Sequence, residues 1–170
     1  MGYYVNGDGH LVIKQENLAA AYEALMALND APDDAKLGGS WGGGGTGKTA
    51  SWFSWMPADL RTLPDTKSVF RELGFEVSND EDGNLIIGCY DNKTGQEEVF
   101  FAAAAPFIEN GSYEWQGEDG AFWSWEFIDG KMYQRDGVRE YGEAFEISVP
   151  ELNRQQIEMV QRIEGMLAKK

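Results

Sequence analysis

The sequence predicts an α+β fold: a single domain over residues 1–170, mainly antiparallel β-sheet, packed with about four helices. Three observations carry that expectation. Residues 111–141 hold four short aromatic or β-branched runs, "GSYEWQ", "AFWSWEFI", "KMYQR" and "VREY". Gly117-Glu118-Asp119-Gly120, Asp129-Gly130 and Asp136-Gly137 separate them, and Asp-Gly between such runs is a strong hairpin signal, so a C-terminal β-meander follows. Ahead of the meander, segments with apolar residues at helical spacing alternate with short strand-like runs, the mixture expected of α+β proteins. Finally, a chain of 170 residues suits one domain and buries roughly 70% of the surface its unfolded form exposes.

Taken in order, "YYVNGDGHLVI" reads as a hairpin over residues 3–13, turning at Asn6-Gly7-Asp8-Gly9 where glycine accepts positive φ. "KQENLAAAYEALMALND" places Leu18, Tyr22, Leu25 and Met26 on one helical face and ends near Asn29, ahead of Pro32. Residues 32–50 form a Gly-rich loop with almost nothing apolar beyond Leu37 and Trp41. In "ASWFSWM" the crowded aromatics suit a pleated surface, which predicts a strand. "LPDTKSVFRELGF" reads as a short helix with Pro64 in its first turn, a stripe of Val69, Phe70 and Leu73, and Gly74 as a left-handed cap.

Strands over residues 75–78 and 84–90 follow, joined by an acidic turn containing Asp80, Glu81 and Asp82. A helix over residues 96–105 comes next, with Val99, Phe100, Ala103 and Phe107 on one side and Pro106 limiting it. Within the meander, Trp123, Trp125 and Phe127 alternate with Phe122, Ser124, Glu126 and Ile128, so one face is expected to be buried. The chain closes on an amphipathic helix at residues 150–168, with Leu152, Gln156, Met159, Ile163 and Met166 widened by Ile157, Val160 and Leu167. A stripe that wide suits a cap on the sheet better than a coiled-coil seam.

Composition bounds the function. With 14 Lys plus Arg against 29 Asp plus Glu, the formal charge is −15, which repels nucleic acid and anionic membrane. Such charge either keeps the protein soluble or, in its sharper form, imitates DNA for a basic groove. Cys89 is the sole cysteine, so there is no internal disulfide and a reducing cytoplasm is the expected compartment. No signal peptide is expected, nor an apolar run near the ~20 residues that span a bilayer.

Gly42, Gly47, Lys48 and Thr49 match the phosphate-loop pattern G-x-x-x-x-G-K-S/T. That motif needs a buried strand before it and a helix after it, and the flanks "PDDAKLGGSW" and "TASWFSWMP" promise neither. With Trp41, Trp52 and Trp55 beside the loop, the alternative is a site that stacks a nucleotide; the ordinary role of such tryptophans is sheet core. No metal site is expected, because His10 and Cys89 are the only histidine and cysteine, and the calcium-like "SNDEDGNLIIGC" has Ser78 and Cys89 where the first and last ligands belong. No catalytic residue and no cofactor emerge; Glu118 and Asp119 fit an ordinary turn.

The opening "MGYYVNGDGHLVI" and the later "GSYEWQGEDGAFWSWEFIDGKM" resemble a group of small uncharacterised proteins of actinobacteria and their phages. These share the "MGYY" start and a "GEDG", aromatic strand, "DGK" hairpin. The group has no established activity, so the resemblance implies only a setting, that of a small cytoplasmic accessory protein borne by a phage. The expectation is therefore a non-enzymatic acidic binding protein that engages a host or defence protein with a basic surface. Glu118, Asp119, Asp80, Glu81 and Asp82 are the candidate contacts. Direct nucleic-acid and membrane partners are not expected. The alternative is a nucleotide-binding or nucleotide-sequestering protein using the Gly-rich loop, and a phosphate-loop NTPase ranks last.

Overall fold

In a computed structural model, residues 3–39, 50–138, 140–143, 154 and 156–162 are described, and they divide between two compact units, residues 1–138 and 139–170. The first unit holds a seven-stranded, wholly antiparallel sheet built from β1 (Tyr4–Gly9), β2 (Leu11–Ile13), β3 (Phe75–Asn79), β4 (Leu85–Lys93), β5 (Gly111–Gly117), β6 (Phe122–Ile128) and β7 (Lys131–Asp136). With it come α1 (Leu18–Met26), α2 (Thr66–Leu73) and α3 (Glu97–Ala104). The class is α+β, as the alternation of patterns predicts. In the second unit, residues 154 and 156–162 are helical, with Arg154 paired to Glu158 at 3.0 Å, while Ile157, Met159 and Val160 are exposed. The rest of the expected C-terminal helix lies outside the described residues.

One face of the sheet is buried. Val5, Leu11, Ile13, Phe75, Leu85, Ile87, Tyr90, Tyr113, Trp115, Trp125 and Phe127 meet Ala21, Leu25 and Met26 of α1, Val69, Phe70 and Leu73 of α2, and Phe100, Phe101 and Ala104 of α3. Phe75 sits in an aromatic cluster, 4.6 Å from the Tyr90 ring and 5.0 Å from Phe101, whose ring lies 5.3 Å from Trp125. Each such ring buries a large apolar area and settles edge-on or tilted against its neighbours, which makes them the main source of cohesion. The opposite face carries Asn6, Asp8, Glu76, Cys89, Asp91, Ser112, Glu114 and Gln116, all exposed. This is the half-solvated form of an antiparallel sheet.

The expected hairpin over residues 3–13 is overturned. β1 and β2 do not pair with each other; both pair with β4, as Gly7↔Tyr90 and then Leu11↔Ile87, so they form one strand interrupted by a bulge. Gly7 and Gly9 do not have positive φ. They are glycines because rings of β5 lie over them: a Cβ on Gly7 would stand 2.5 Å from Tyr113 Cε1, and one on Gly9 2.4 Å from Tyr113 Cδ2. Tyr113 thereby crosses beneath β1 and donates its hydroxyl to the Gly88 carbonyl of β4 at 2.6 Å.

Three further expectations are corrected. Residues 51–56 are not a strand but a series of turns, with Met56 N–H bonded to the Phe53 carbonyl and Trp52 and Phe53 packed on Phe100. "VREY" does not add a fourth meander strand: Gly137 N–H bonds the Phe122 carbonyl at 2.8 Å, and residues 138, 140 and 141 leave the ladder. Pro64 stands before α2 rather than in its first turn, because Asp65 is the cap, accepting from Ser68 N–H at 2.7 Å. Gly74 closes that helix at φ 112°, as expected.

Candidate functional site

The expected acidic contact set does not form one patch. Asp80 accepts from the N–H groups of Asp82 and Asn84 and from the Asn84 amide, so it is the hub of its own turn, and the Asn84 bond leads the forces holding its carboxyl below the ordinary value. Asp119 accepts from the Tyr3 hydroxyl and from Ala121 N–H, with the tyrosine bond lowering it most. Both carboxylates fasten turns, in the manner of Asx residues. The β3–β4 turn lies beyond Leu85, whereas the β5–β6 turn lies beside Val5, which is paired with Asn92. At ~3.4 Å per residue along β4, the two turns are therefore roughly 20 Å or more apart, at opposite ends of the sheet. Glu81, Asp82 and Glu118 are exposed at those ends.

The nucleotide candidates divide differently. Trp41, Gly42, Gly47, Lys48 and Thr49 lie outside the described residues. What flanks them is on view: a 3-10 turn at Asp33–Ala35 precedes and the turns of 51–56 follow. Residues 38–39 and 51 are joined by Gly38 N–H to the Ser51 carbonyl at 2.9 Å and Ser51 N–H to the Gly39 carbonyl at 3.0 Å. Gln96 anchors the approach, accepting from Leu37 N–H at 2.8 Å and donating to the Ala35 carbonyl at 2.9 Å. A phosphate loop runs from a parallel strand into a helix N-terminus, and this antiparallel sheet places neither at residues 33–39 or 50–56. Trp52 is buried, with its indole edge-on to Phe100, and Trp55 donates its indole N–H to the Glu72 carbonyl at 3.1 Å. Of the sheet's tryptophans Trp115 and Trp125 are core, 4.7 Å apart, and the partly buried Trp123 stacks on Trp115 with planes 7° apart.

A different constellation forms where the sheet is irregular. Between Tyr90 and Ile87, β4 departs from regular pairing on both sides. Toward β1 and β2, three residues, Asp8-Gly9-His10, face Gly88-Cys89; toward β3, Glu76 alone faces the same two residues. Bulges re-aim side chains. Here they gather the single cysteine, the single histidine and carboxylates from neighbouring strands on the open face. Asp8 and Glu114 stand directly opposite each other in the β1–β5 register. With Gly9, His10 and Ser112 they line a shallow recess of about 470 Å³.

The chemistry of this recess is acidic rather than nucleophilic. Cys89 donates its S–H to Asp8 Oδ1 at 3.5 Å, and that bond, followed by desolvation and the charges of Asp8 and Glu76, pushes its thiol up from the ordinary value. Reactive cysteines sit in electropositive surroundings that favour the thiolate; this one sits in the opposite field. Among the described residues, no three His, Cys, Asp or Glu side chains are grouped so as to hold a metal ion. Glu126, one strand further on, is paired with Arg135 at 3.0 Å, and Lys93 lies 5.5 Å above the Tyr4 ring, while Glu76, Asp91, Asp8 and Glu114 stand on the four strands from the β3 edge to β5.

Sequence reasoning missed this grouping because neighbours across strands depend on register, which no local pattern states. It also missed the buried Glu97. That carboxylate is 1% exposed and accepts from Tyr90 Oη at 2.7 Å, Thr94 Oγ1 at 3.0 Å and Gly95 N–H at 2.8 Å. Burial, and then the Glu97 bond, raises the Tyr90 hydroxyl. The signal available was Thr94-x-x-Glu97 ahead of an apolar run, a capping-box spacing.

No family model matches the chain, and neither a curated protein nor a solved structure is detectably similar to it. Fold and surface define its class: an α+β protein with a single-faced antiparallel sheet, helices on one side and carboxylates on the other. Among the described residues no helix is long and apolar enough to cross a membrane.

Proposed function

We propose that the chain is a non-enzymatic acidic binding protein, a small cytoplasmic accessory protein of phage origin that engages a basic surface on a host or defence protein. The observation that carries the reading is the formal charge of −15 on a fold whose Asp8, Glu76, Asp91 and Glu114 stand exposed on one open sheet face. Charge of one sign over a surface steers a partner of the other sign, speeds association and rejects polyanions. The field at Cys89, which opposes thiolate formation, supports a binding role over thiol catalysis.

The test is capture from host lysate on the immobilised protein at low and at high ionic strength, with bound proteins identified by mass spectrometry. The reading expects one or a few proteins of basic isoelectric point, retained at low salt and released at high salt. Recovery of no salt-releasable protein, or of acidic proteins alone, overturns it.

A further inference from the structure

Resting on that reading, we infer that the docking surface is the sheet face opposite α1, α2 and α3, and that its occupant is a protein surface presenting arginine and lysine, seated over Asp8 and Glu114. Charge complementarity on a defined face carries this, beyond the net charge of the chain. Four adjacent strands contribute one carboxylate each: Glu76 from β3, Asp91 from β4, Asp8 from β1 and Glu114 from β5, with Asp91 opposite Asn6, two residues along from Asp8. With strands about 4.8 Å apart, Glu76 and Glu114 are roughly 14 Å apart across the sheet. That span suits several cationic side chains of one protein surface, and a carboxylate face matches the planar donor fork of a guanidinium.

The arrangement has a cost. Like charges placed directly opposite in an antiparallel pair destabilise it, and Asp8 and Glu114 are so placed. Solubility alone does not ask for the carboxylates to be opposed, since a solvated sheet face accepts Ser, Thr or Gln equally well, as Ser112 and Gln116 do beside them. A cationic partner relieves the repulsion and gains its affinity from it. The face also carries aromatic rings: Tyr4 and Tyr133 are each 49% exposed, Tyr133 is paired across from Glu126, and Tyr4 already holds Lys93 above its ring. Aromatic side chains beside charge are favourable contacts for arginine.

The test uses the full chain and a fluorescently labelled nona-arginine peptide as the probe, followed by anisotropy at low and high salt. Two variants remove the same charge from opposite sides of the protein: Asp8→Asn with Glu114→Gln on the open face, and Glu16→Gln with Glu23→Gln on the helix side, where both glutamates are exposed. The inference expects the first pair to weaken binding about tenfold or more and the second by less than about twofold. Equal weakening by the two pairs, or no effect of the first, overturns the inference and leaves the proposed function standing. Failure of the unmodified protein to bind the probe in a salt-sensitive way overturns both. An independent readout guards against a folding artefact: relief of the opposed charges raises Tm of the first variant by about 1–2 °C, and a lowered Tm counts against the geometry.

Discussion

At the scale of single residues, the informative feature is "NGDG". Its glycines stand out in the sequence as positions of special geometry, and they are special, but for a reason that lies on another strand. A turn glycine is needed for its own φ, whereas Gly7 and Gly9 are needed for the absence of Cβ, because Tyr113 and Trp115 occupy that space. The two explanations differ in what alanine does. At a turn it strains one residue; here it drives a methyl group into a buried ring whose hydroxyl is fastened to Gly88. We expect Gly9→Ala to destabilise by about 2 kcal/mol, in the range of core overpacking, as measured by urea unfolding. A loss below about 0.5 kcal/mol would mean that the ring moves aside freely. Tyr113→Leu, which clears part of the space, then reduces the penalty of Gly9→Ala, the coupling expected of residues in contact. The proximity of Cys89, Asp8 and Glu76 was likewise hidden, since it follows from bulges that no residue type announces.

Among the elements, those governed by local rules were readable. In α2 the buried stripe and the Gly74 stop rest on neighbours within four residues, and the sequence states them; the equally local Asp65 cap displaces Pro64 from the first turn that the sequence suggests for it. The 51–56 segment failed for the opposite reason. Its aromatics have strand propensity, but a strand needs a partner, and among the described residues the segment has the short contact of Ser51 with Gly38–Gly39. Phe53 instead wedges between Gly38 and Gly95, where an added Cβ would stand 2.4 Å from it in each case. The Asp65 cap is open to a direct test. Its bond to the Ser68 hydroxyl, and then to the Ser68 N–H, holds the carboxyl below 3.8, so the charged form is favoured in the folded state. The stability it contributes is therefore complete above that value and is lost as pH falls through the lower folded value. Asp65→Ala is expected to cost about 1 kcal/mol at neutral pH. Measured by urea unfolding, that difference shrinks as pH falls below the ordinary carboxylate range, and a difference independent of pH excludes the charged cap.

For the whole molecule, the charge that supports a binding role also acts on stability, and the two opposing electrostatic terms have different sizes. Fifteen excess negative charges repel one another in the folded state, and salt at physiological strength screens separations beyond about 8 Å. Against this stand ion pairs such as Lys14 with Glu109 at 3.1 Å and Arg135 with Glu126 at 3.0 Å, which salt weakens. Lys14 and Arg135 are well exposed, and exposed pairs contribute between nothing and about 1 kcal/mol each. The repulsion involves many more charges at intermediate distance, so it dominates, and added sodium chloride should stabilise the protein. A net gain of about 1 kcal/mol on going from low to physiological ionic strength raises Tm by roughly 2–4 °C in a chain of this size, read by thermal unfolding. Sodium chloride rather than sulfate is the salt to use, because sulfate strengthens apolar burial independently of charge. A fall in Tm would mean that local pairing outweighs the net field, and the acidic surface would then have less free charge to offer a partner. A rise would instead tie stability to recognition, since a basic surface seated on the sheet relieves the same repulsion that salt screens.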